Sequence, residues 1–209
     1  MNWDKYVKFK EQKGAWILEE PWEWDKTGKI QVYSLSETSD DEVNNVIEII
    51  TNVITEFALP LVVEKGNARE KDDLDQLVQK YSDQNEIDFN KLENELNRRR
   101  REAQGRETEF LPCGIVLVVN DKYSFKKYNG LRRAIYGMGN YNGLIVIRRK
   151  YINATRHEFG HMIGLDHHTN EFGHVNKLEP NENCIMEYEV NHDNFCKECQ
   201  NEIKYTWEL

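Results

Sequence analysis

The chain has 209 residues, a formal net charge of −9 at pH 7 and a hydrophobic content of 39%. This length suits a single domain spanning residues 1–209 and suffices for a hydrophobic core without disulfide bonds. The negative charge argues against general nucleic-acid binding, because the phosphate backbone attracts basic surfaces. Since 31% of the residues are charged, part of the chain is expected to be a solvated, charged helical excursion.

The first 26 residues hold four of the five tryptophans in a polar setting, and we interpret them as an irregular extension packed on the domain. Residues 1–18 lack the apolar core of a signal peptide. No window approaches the roughly 18 consecutive apolar residues of a membrane span. We therefore expect a soluble, cytoplasmic protein without a membrane partner, in which cysteines are better suited to metal binding than to disulfides.

The first half of the chain predicts strands flanking an amphipathic helix: a strand at 30–35, a helix at 42–57 and a strand at 59–63. Ser39 and Asp40 offer an N-cap for that helix. Charge dominates residues 64–106, and their weak helical periodicity predicts helices inserted between core strands. The run Arg98–Arg101 lies among glutamates, so a solvated helical face with ion pairs is favoured over a phosphate-binding patch.

The apolar runs at residues 114–119 and 143–148 predict strands that are buried on both faces. A short edge strand is expected around 134–136, and a helix over 151–165 follows the last strand. The predicted fold class is therefore α+β, with a mixed sheet in an α/β-type N-terminal lobe at 28–166 and a small C-terminal lobe at 167–209.

The stretch from His157 to His167 carries three histidines and a glutamate at the spacing of a catalytic zinc site. His157 and His161 lie one helical turn apart, so both can present a ring nitrogen to one tetrahedral ion. Glu158 is rotated about 100° from His157 on an ideal helix, which suits a general base beside the metal. Gly164 can adopt a positive φ and turn the chain, so that His167 supplies the third ligand. Three nitrogens leave the fourth position open for water, as in catalytic zinc sites.

All six histidines and three of the four cysteines fall after residue 156, which indicates metal chemistry in the last quarter of the chain. Cys196 and Cys199 form a C-x-x-C pair, Cys184 precedes it, and a tetrahedral structural zinc needs one more ligand. The candidates for that ligand are, in order, His168, His174 and His192. A free C-x-x-C pair on a surface helix is the alternative, and a thioredoxin-like redox pair is disfavoured further. Cys113, at the start of a core strand, is interpreted as a buried small hydrophobic residue.

These motifs resemble the metzincin metallopeptidases and, among them, the archaemetzincins. Metzincins share the long histidine motif and a methionine-bearing turn beneath the zinc, which Cys184-Ile185-Met186 matches here. The resemblance implies a metzincin-like fold with an active-site helix and a second, structural zinc that staples the C-terminal lobe. Its implied ligands are His168, standing where the family has its first cysteine, together with Cys184, Cys196 and Cys199.

The specific resemblance covers about residues 143–199, and the chain departs from the family pattern in three places. The gap between His167 and Cys184 is longer, the gap between Met186 and Cys196 is shorter, and the charged insertion is extra. The resemblance also implies that Tyr188, two residues after the methionine, steadies the transition-state oxyanion. A tyrosine that only packs under the turn is the equal alternative.

The predicted function is zinc-dependent hydrolysis of peptide bonds, in which Glu158 takes a proton from zinc-activated water and passes it to the leaving amine. We expect two zinc ions, one catalytic and one structural, a monomer, and a peptide or protein substrate aligned by the edge strand near 134–136. The alternative is a zinc-stabilised binding or interaction module without efficient peptidase activity. Glu158 favours the enzyme, because a pure ligand shell has no structural use for it. Nucleic-acid binding through the C-x-x-C segment is disfavoured by charge.

Overall fold

The computed structural model describes residues 9–12, 15–18, 28–35, 38–103, 114–126, 137–140, 143–168, 183–187 and 192–207. The strands are β1 (Phe9–Gln12), β2 (Ala15–Leu18), β3 (Lys29–Ser34), β4 (Val62–Lys65), β5 (Ser82–Asp83), β6 (Glu86–Ile87), β7 (Gly114–Val119), β8 (Ser124–Phe125), β9 (Gly137–Asn140) and β10 (Leu144–Arg148). The helices are α1 (Asp40–Glu56), α2 (Ala68–Lys80), α3 (Phe89–Ala103), α4 (Thr155–Met162) and α5 (Lys197–Thr206), and a 3-10 helix at Arg149–Ala154 precedes α4. The predicted α+β fold class is confirmed.

A mixed sheet with the strand order β4-β3-β7-β10-β9 forms the centre of the structure. The strands β4, β3, β7 and β10 are parallel to one another, whereas β9 runs antiparallel to β10 at the edge. Alternate residues of these strands point to opposite faces, and the central strands β3, β7 and β10 each contribute to two cores. In β10, Ile145 and Ile147 face the core that contains α1 and α4, while Leu144 and Val146 face the core that contains α2 and α3.

Helix α1 begins with the predicted N-cap at Ser39. The Ser39 hydroxyl accepts a hydrogen bond from the backbone N–H of Glu42, and the Glu42 carboxylate accepts one from the N–H of Ser39. This capping box satisfies two backbone donors that the first helical turn leaves unpaired. The apolar face of α1, formed by Val43, Val46, Ile50 and Val53, is buried against the sheet.

The strand predicted at 59–63 instead begins at Val62. Leu59 donates its backbone N–H to the carbonyl of Ile54 and so continues the turn that ends α1. Pro60 has no N–H to offer a strand ladder. Leu59 and Leu61 are nevertheless buried in the core, which explains why their hydrophobic pattern resembled a strand.

The charged segment 64–106 contains the predicted helices, α2 and α3, which pack on the sheet face opposite α1 through Leu77 and Leu92. Arg98 and Arg99 of the arginine run both pair with Glu95, as expected for a solvated helical face. Exposed ion pairs of this kind contribute little stability, so the buried leucines hold the insertion on the sheet.

Three predictions fall at the margins of the described chain or outside it. The edge strand expected at 134–136 lies outside the described residues, and the described edge strand is β9. The N-terminal extension was predicted to be irregular, whereas its described part is an antiparallel hairpin of β1 and β2. Cys113 also lies outside the described residues. Over the described ranges, none of the helices has the length and apolar character needed to cross a membrane.

Candidate metal centres

Helix α4 carries the first two histidines of the motif, His157 and His161. The helix is shorter than the predicted 151–165, because Tyr151 has non-helical backbone angles and a 3-10 helix occupies the segment before Thr155. Gly164 has a φ of +107°, which confirms the predicted turn after the helix. This left-handed conformation favours glycine, and it turns the chain back toward α4.

The turn at Gly164 brings three imidazole rings together. The ring centroids lie 4.9 Å apart for His157 and His161, 5.0 Å for His157 and His167, and 4.5 Å for His161 and His167. One ring nitrogen from each histidine falls within 4.8 Å of the others. Three nitrogens at this separation can surround a single ion of the size of zinc.

Backbone carbonyls determine which nitrogen each helical histidine presents. His157 Nδ1 lies 2.6 Å from the carbonyl oxygen of Ile185, and His161 Nδ1 lies 2.8 Å from that of Leu165. A carbonyl oxygen can only accept a hydrogen bond, so Nδ1 carries the proton in both rings. The Nε2 atoms therefore keep their lone pairs for a ligand, in the orientation that outer hydrogen bonds give to metal-binding histidines.

Two rings of this cluster, His161 and His167, remain in the neutral, metal-binding form well below neutral pH. Burial lowers the pKa of His161 to about 4, with a smaller contribution from His157. Burial also lowers the pKa of His167 to about 2, and the neighbouring rings act in the same direction. Only a neutral imidazole can donate a lone pair to a metal.

Glu158 lies beside the cluster and outside it. Its side chain is buried between α4 and the edge strand β9, where the backbone N–H of Gly139 donates a hydrogen bond to the carboxylate. Burial raises the pKa of Glu158, while the adjacent His157 and the Gly139 hydrogen bond oppose that rise. The structure therefore places the Glu158 carboxyl group near the three imidazoles, and Glu158 is not one of the grouped metal donors. Its role as a general base stays a prediction.

Met186 packs against α4, the helix that carries His157 and His161. The Met186 side chain is fully buried against Gly160, where an added methyl group would come within 2.5 Å of the methionine sulfur. The Met186 carbonyl also accepts a hydrogen bond of 3.2 Å from the backbone N–H of His168. The predicted oxyanion residue, Tyr188, lies outside the described residues.

A second group of donors begins at the residue after His167 and consists of His168, Cys184, Cys196 and Cys199. His168 Nε2 is 3.3 Å from the sulfurs of both Cys196 and Cys199. The sulfurs of Cys184 and Cys199 are 3.6 Å apart, and the three cysteines are free thiols. Three sulfurs and one imidazole nitrogen match the donor set of a closed, structural zinc site.

Cys184 occupies the part of this cluster that favours a thiolate. A hydrogen bond from Cys199 lowers the pKa of Cys184 most strongly, and His168 and the backbone N–H groups of Cys196 and Met186 add to the effect. A deprotonated sulfur is the form that binds zinc.

The structure describes two of the three histidines that were considered as the fourth ligand. His168 lies inside the cysteine cluster and is fully buried. His192 is among the described residues and is not a member of either donor group. His174 lies outside the described residues.

We expect His168→Ala to lose one zinc ion and to lower the melting temperature, because an incomplete thiolate site loses folding free energy with its metal. His168→Cys should retain both, since it restores a fourth donor. Zinc stoichiometry and thermal unfolding of the two variants test this. A His168→Ala protein that keeps both zinc ions and its melting temperature, beside a His174→Ala protein that loses one, would contradict the assignment.

Sequence reasoning missed the Ile185 carbonyl that orients His157. A backbone acceptor leaves no signal in residue type, so only the position of Ile185 between Cys184 and Met186 could have drawn attention to it. It also missed the proximity of β9 to Glu158, for which the alternating glycines of Gly-Met-Gly were the available signal.

The fold of the chain is archaemetzincin-like. The chain is similar in structure to the archaemetzincin of Methanopyrus kandleri, with a TM-score of 0.55 and 13% sequence identity, over 88% of this chain and 98% of that one. It also matches the archaemetzincin of Archaeoglobus fulgidus, solved in complex with malonate, with a TM-score of 0.45 and 16% identity, over 83% and 99% of the two chains. Neither a protein-family model nor a curated protein sequence matches the chain.

Proposed function

We propose that this protein is a zinc-dependent metallopeptidase. The observation that carries the proposal is the convergence of His157, His161 and His167 beside the buried carboxyl group of Glu158. Three nitrogen donors leave one coordination position for a water or a substrate oxygen, which distinguishes catalytic from structural zinc sites. The archaemetzincin-like fold supports the same class.

In this proposal the histidines bind the metal ion, and Glu158 transfers the proton. A bound zinc ion supplies Lewis acidity, which polarises the scissile carbonyl and lowers the pKa of water. The three histidines would hold that ion, His157 and His161 through Nε2, and the Ile185 and Leu165 carbonyls keep those two rings in orientation. Glu158 accepts a proton from the attacking water and later transfers it to the leaving nitrogen.

The second donor group serves as a structural site in this proposal. Its four donors come from positions far apart in the last part of the chain, and one ion bound to them would fix those positions relative to each other. Its four donors would complete a tetrahedral shell, which leaves no open position for a substrate.

Substrate binding in the proposal uses the edge strand β9. Among the described strands β9 pairs only with β10, and an extended peptide would add to its other side through backbone hydrogen bonds. Glu158 lies next to this strand, because α4 packs against β9. A peptide docked there would bring a backbone carbonyl close to the histidine cluster.

The test is metal analysis of the purified protein followed by a peptide-library cleavage assay. We expect two zinc ions per chain, cleavage that a chelator abolishes, and recovery on adding zinc alone. The open three-histidine site should release its ion before the thiolate site, so activity should disappear while the protein remains folded. Two bound zinc ions with no cleavage of any peptide would favour the alternative, a zinc-stabilised binding module.

A further inference from the structure

The edge strand β9 presents its two glycines to the face that α4 covers. The strand partners in β10 are Ile147 for Gly137 and Ile145 for Gly139. Opposed residues of an antiparallel pair point to the same face, and both isoleucines belong to the core on the α4 side. Met138, between the glycines, packs on the opposite core.

The two glycines contact different parts of Glu158. A methyl group on Gly139 would lie 2.5 Å from the backbone carbonyl oxygen of Glu158, so Gly139 sets how closely the α4 backbone approaches the strand. A methyl group on Gly137 would lie 3.0 Å from Glu158 Cγ and 3.2 Å from Oε1. The nearest neighbours of that position all belong to the Glu158 side chain, so a substitution at Gly137 acts on the carboxyl group directly.

We propose that Gly137 is a positioning residue for Glu158, because the missing side chain leaves a slot in the strand that holds the carboxyl group beside the histidine cluster. This inference rests on the proposed function, since it concerns the placement of the proposed general base. Proton transfer needs donor and acceptor within about 2.6–3.2 Å. A side chain at position 137 pushes the carboxyl group out of the slot by a few tenths of an ångström, which is a sizeable part of that range.

The slot also couples the base to the substrate-binding edge. The strand that would pair with an extended peptide on one side supports Glu158 with its glycine face. The same strand would therefore position both the docked peptide and the base.

Gly137→Ala is the sharpest substitution, because alanine adds one methyl group at the point of contact. We expect kcat to fall about tenfold, since small misplacements of a catalytic group have effects of this order. KM and zinc content should not change, because the strand edge and the histidine nitrogens are untouched. Gly139→Ala should act more broadly, because its methyl group meets the backbone of α4.

An unfolding cycle tests the contact without relying on activity. Urea unfolding is measured for the purified wild type, Gly137→Ala, Glu158→Ala and the double variant. We expect Gly137→Ala to lower the midpoint in the wild-type background and to lower it less in the Glu158→Ala background, where the truncated side chain leaves the slot empty. Met138→Ala, on the opposite face of the same strand, is the matched control and should combine additively with Glu158→Ala.

Additive effects of Gly137→Ala and Glu158→Ala, or an unchanged kcat in Gly137→Ala, would overturn the inference. Coupled unfolding together with the expected drop in kcat would support it. A wild type that cleaves no peptide would refute the proposed function and the catalytic role of Gly137 with it. The unfolding cycle separates that case from a failure of the contact itself.

Discussion

Glu158→Gln should lower kcat by about 100-fold or more while the protein keeps its fold and both zinc ions. General-base transfer contributes about 10²–10⁴-fold in rate, and glutamine retains the shape of the side chain without its basicity. Glutamine can still accept the Gly139 hydrogen bond that the carboxylate accepts in the structure. The loss should therefore appear in kcat, with little change in KM.

The measurement is steady-state cleavage of the best library peptide, alongside zinc analysis and thermal unfolding. Glu48→Gln is a matched control, because Glu48 is an exposed carboxylate on α1, far along the chain from the histidine motif. It should behave as the wild type. Equal turnover in Glu158→Gln and the wild type would mean that the base is wrongly assigned.

Cys199→Ser should remove one zinc ion and destabilise the protein by about 3 kcal/mol or more, because a broken structural site forfeits binding energy that contributes to folding. For a chain of this size, that corresponds to a fall of roughly 6–12 °C in Tm. Cys199 is fully buried at the start of α5, within contact distance of Cys184 and His168. The serine hydroxyl is a poorer ligand than a thiolate and leaves the other donors under-coordinated.

The same substitution should weaken zinc binding at the histidine site by about tenfold, because outer-sphere contacts of metal ligands affect affinity by this order. Cys184 belongs to the thiolate cluster, and the next residue, Ile185, supplies the carbonyl that orients His157. Competition with a chromophoric chelator measures the affinity of each site. Cys113→Ser is the control for the loss of a thiol and should retain both ions. Two ions bound with wild-type affinity in Cys199→Ser would rule out the second site.

Much of the fold was predictable because the buried strands have unambiguous patterns. The continuous apolar run at 114–119 forms β7 with the predicted bounds. The predicted N-cap at Ser39 marks the start of α1. The predicted start of the strand at 59–63 was wrong, because Leu59 and Leu61 are buried in the turn that follows α1, before the strand begins at Val62. Burial produces the same hydrophobic signal whichever backbone conformation achieves it.

The histidine cluster was predictable because its spacing is local. A four-residue interval on a helix and a glycine before the third histidine define the geometry within one short segment. The cysteine cluster depends on contacts across the fold, and the sequence alone left three histidines in contention. The position of Glu158 under β9 could not be predicted, since it depends on the packing of a helix against a strand that precedes it in the chain.

The backbone contact between His168 and Met186 lies at the two ends of the segment 169–183 and bears on how much the length of that segment can vary. His168 and Cys184 belong to the same donor group, and the backbone hydrogen bond from His168 to Met186 joins the two stretches again. The ends of the intervening segment are thus tied together independently of what lies between them. Each doubling of the length of such a segment adds only about 0.6 kcal/mol to the entropic cost of closing it. Insertions between His168 and Cys184 should therefore be tolerated with little loss of stability.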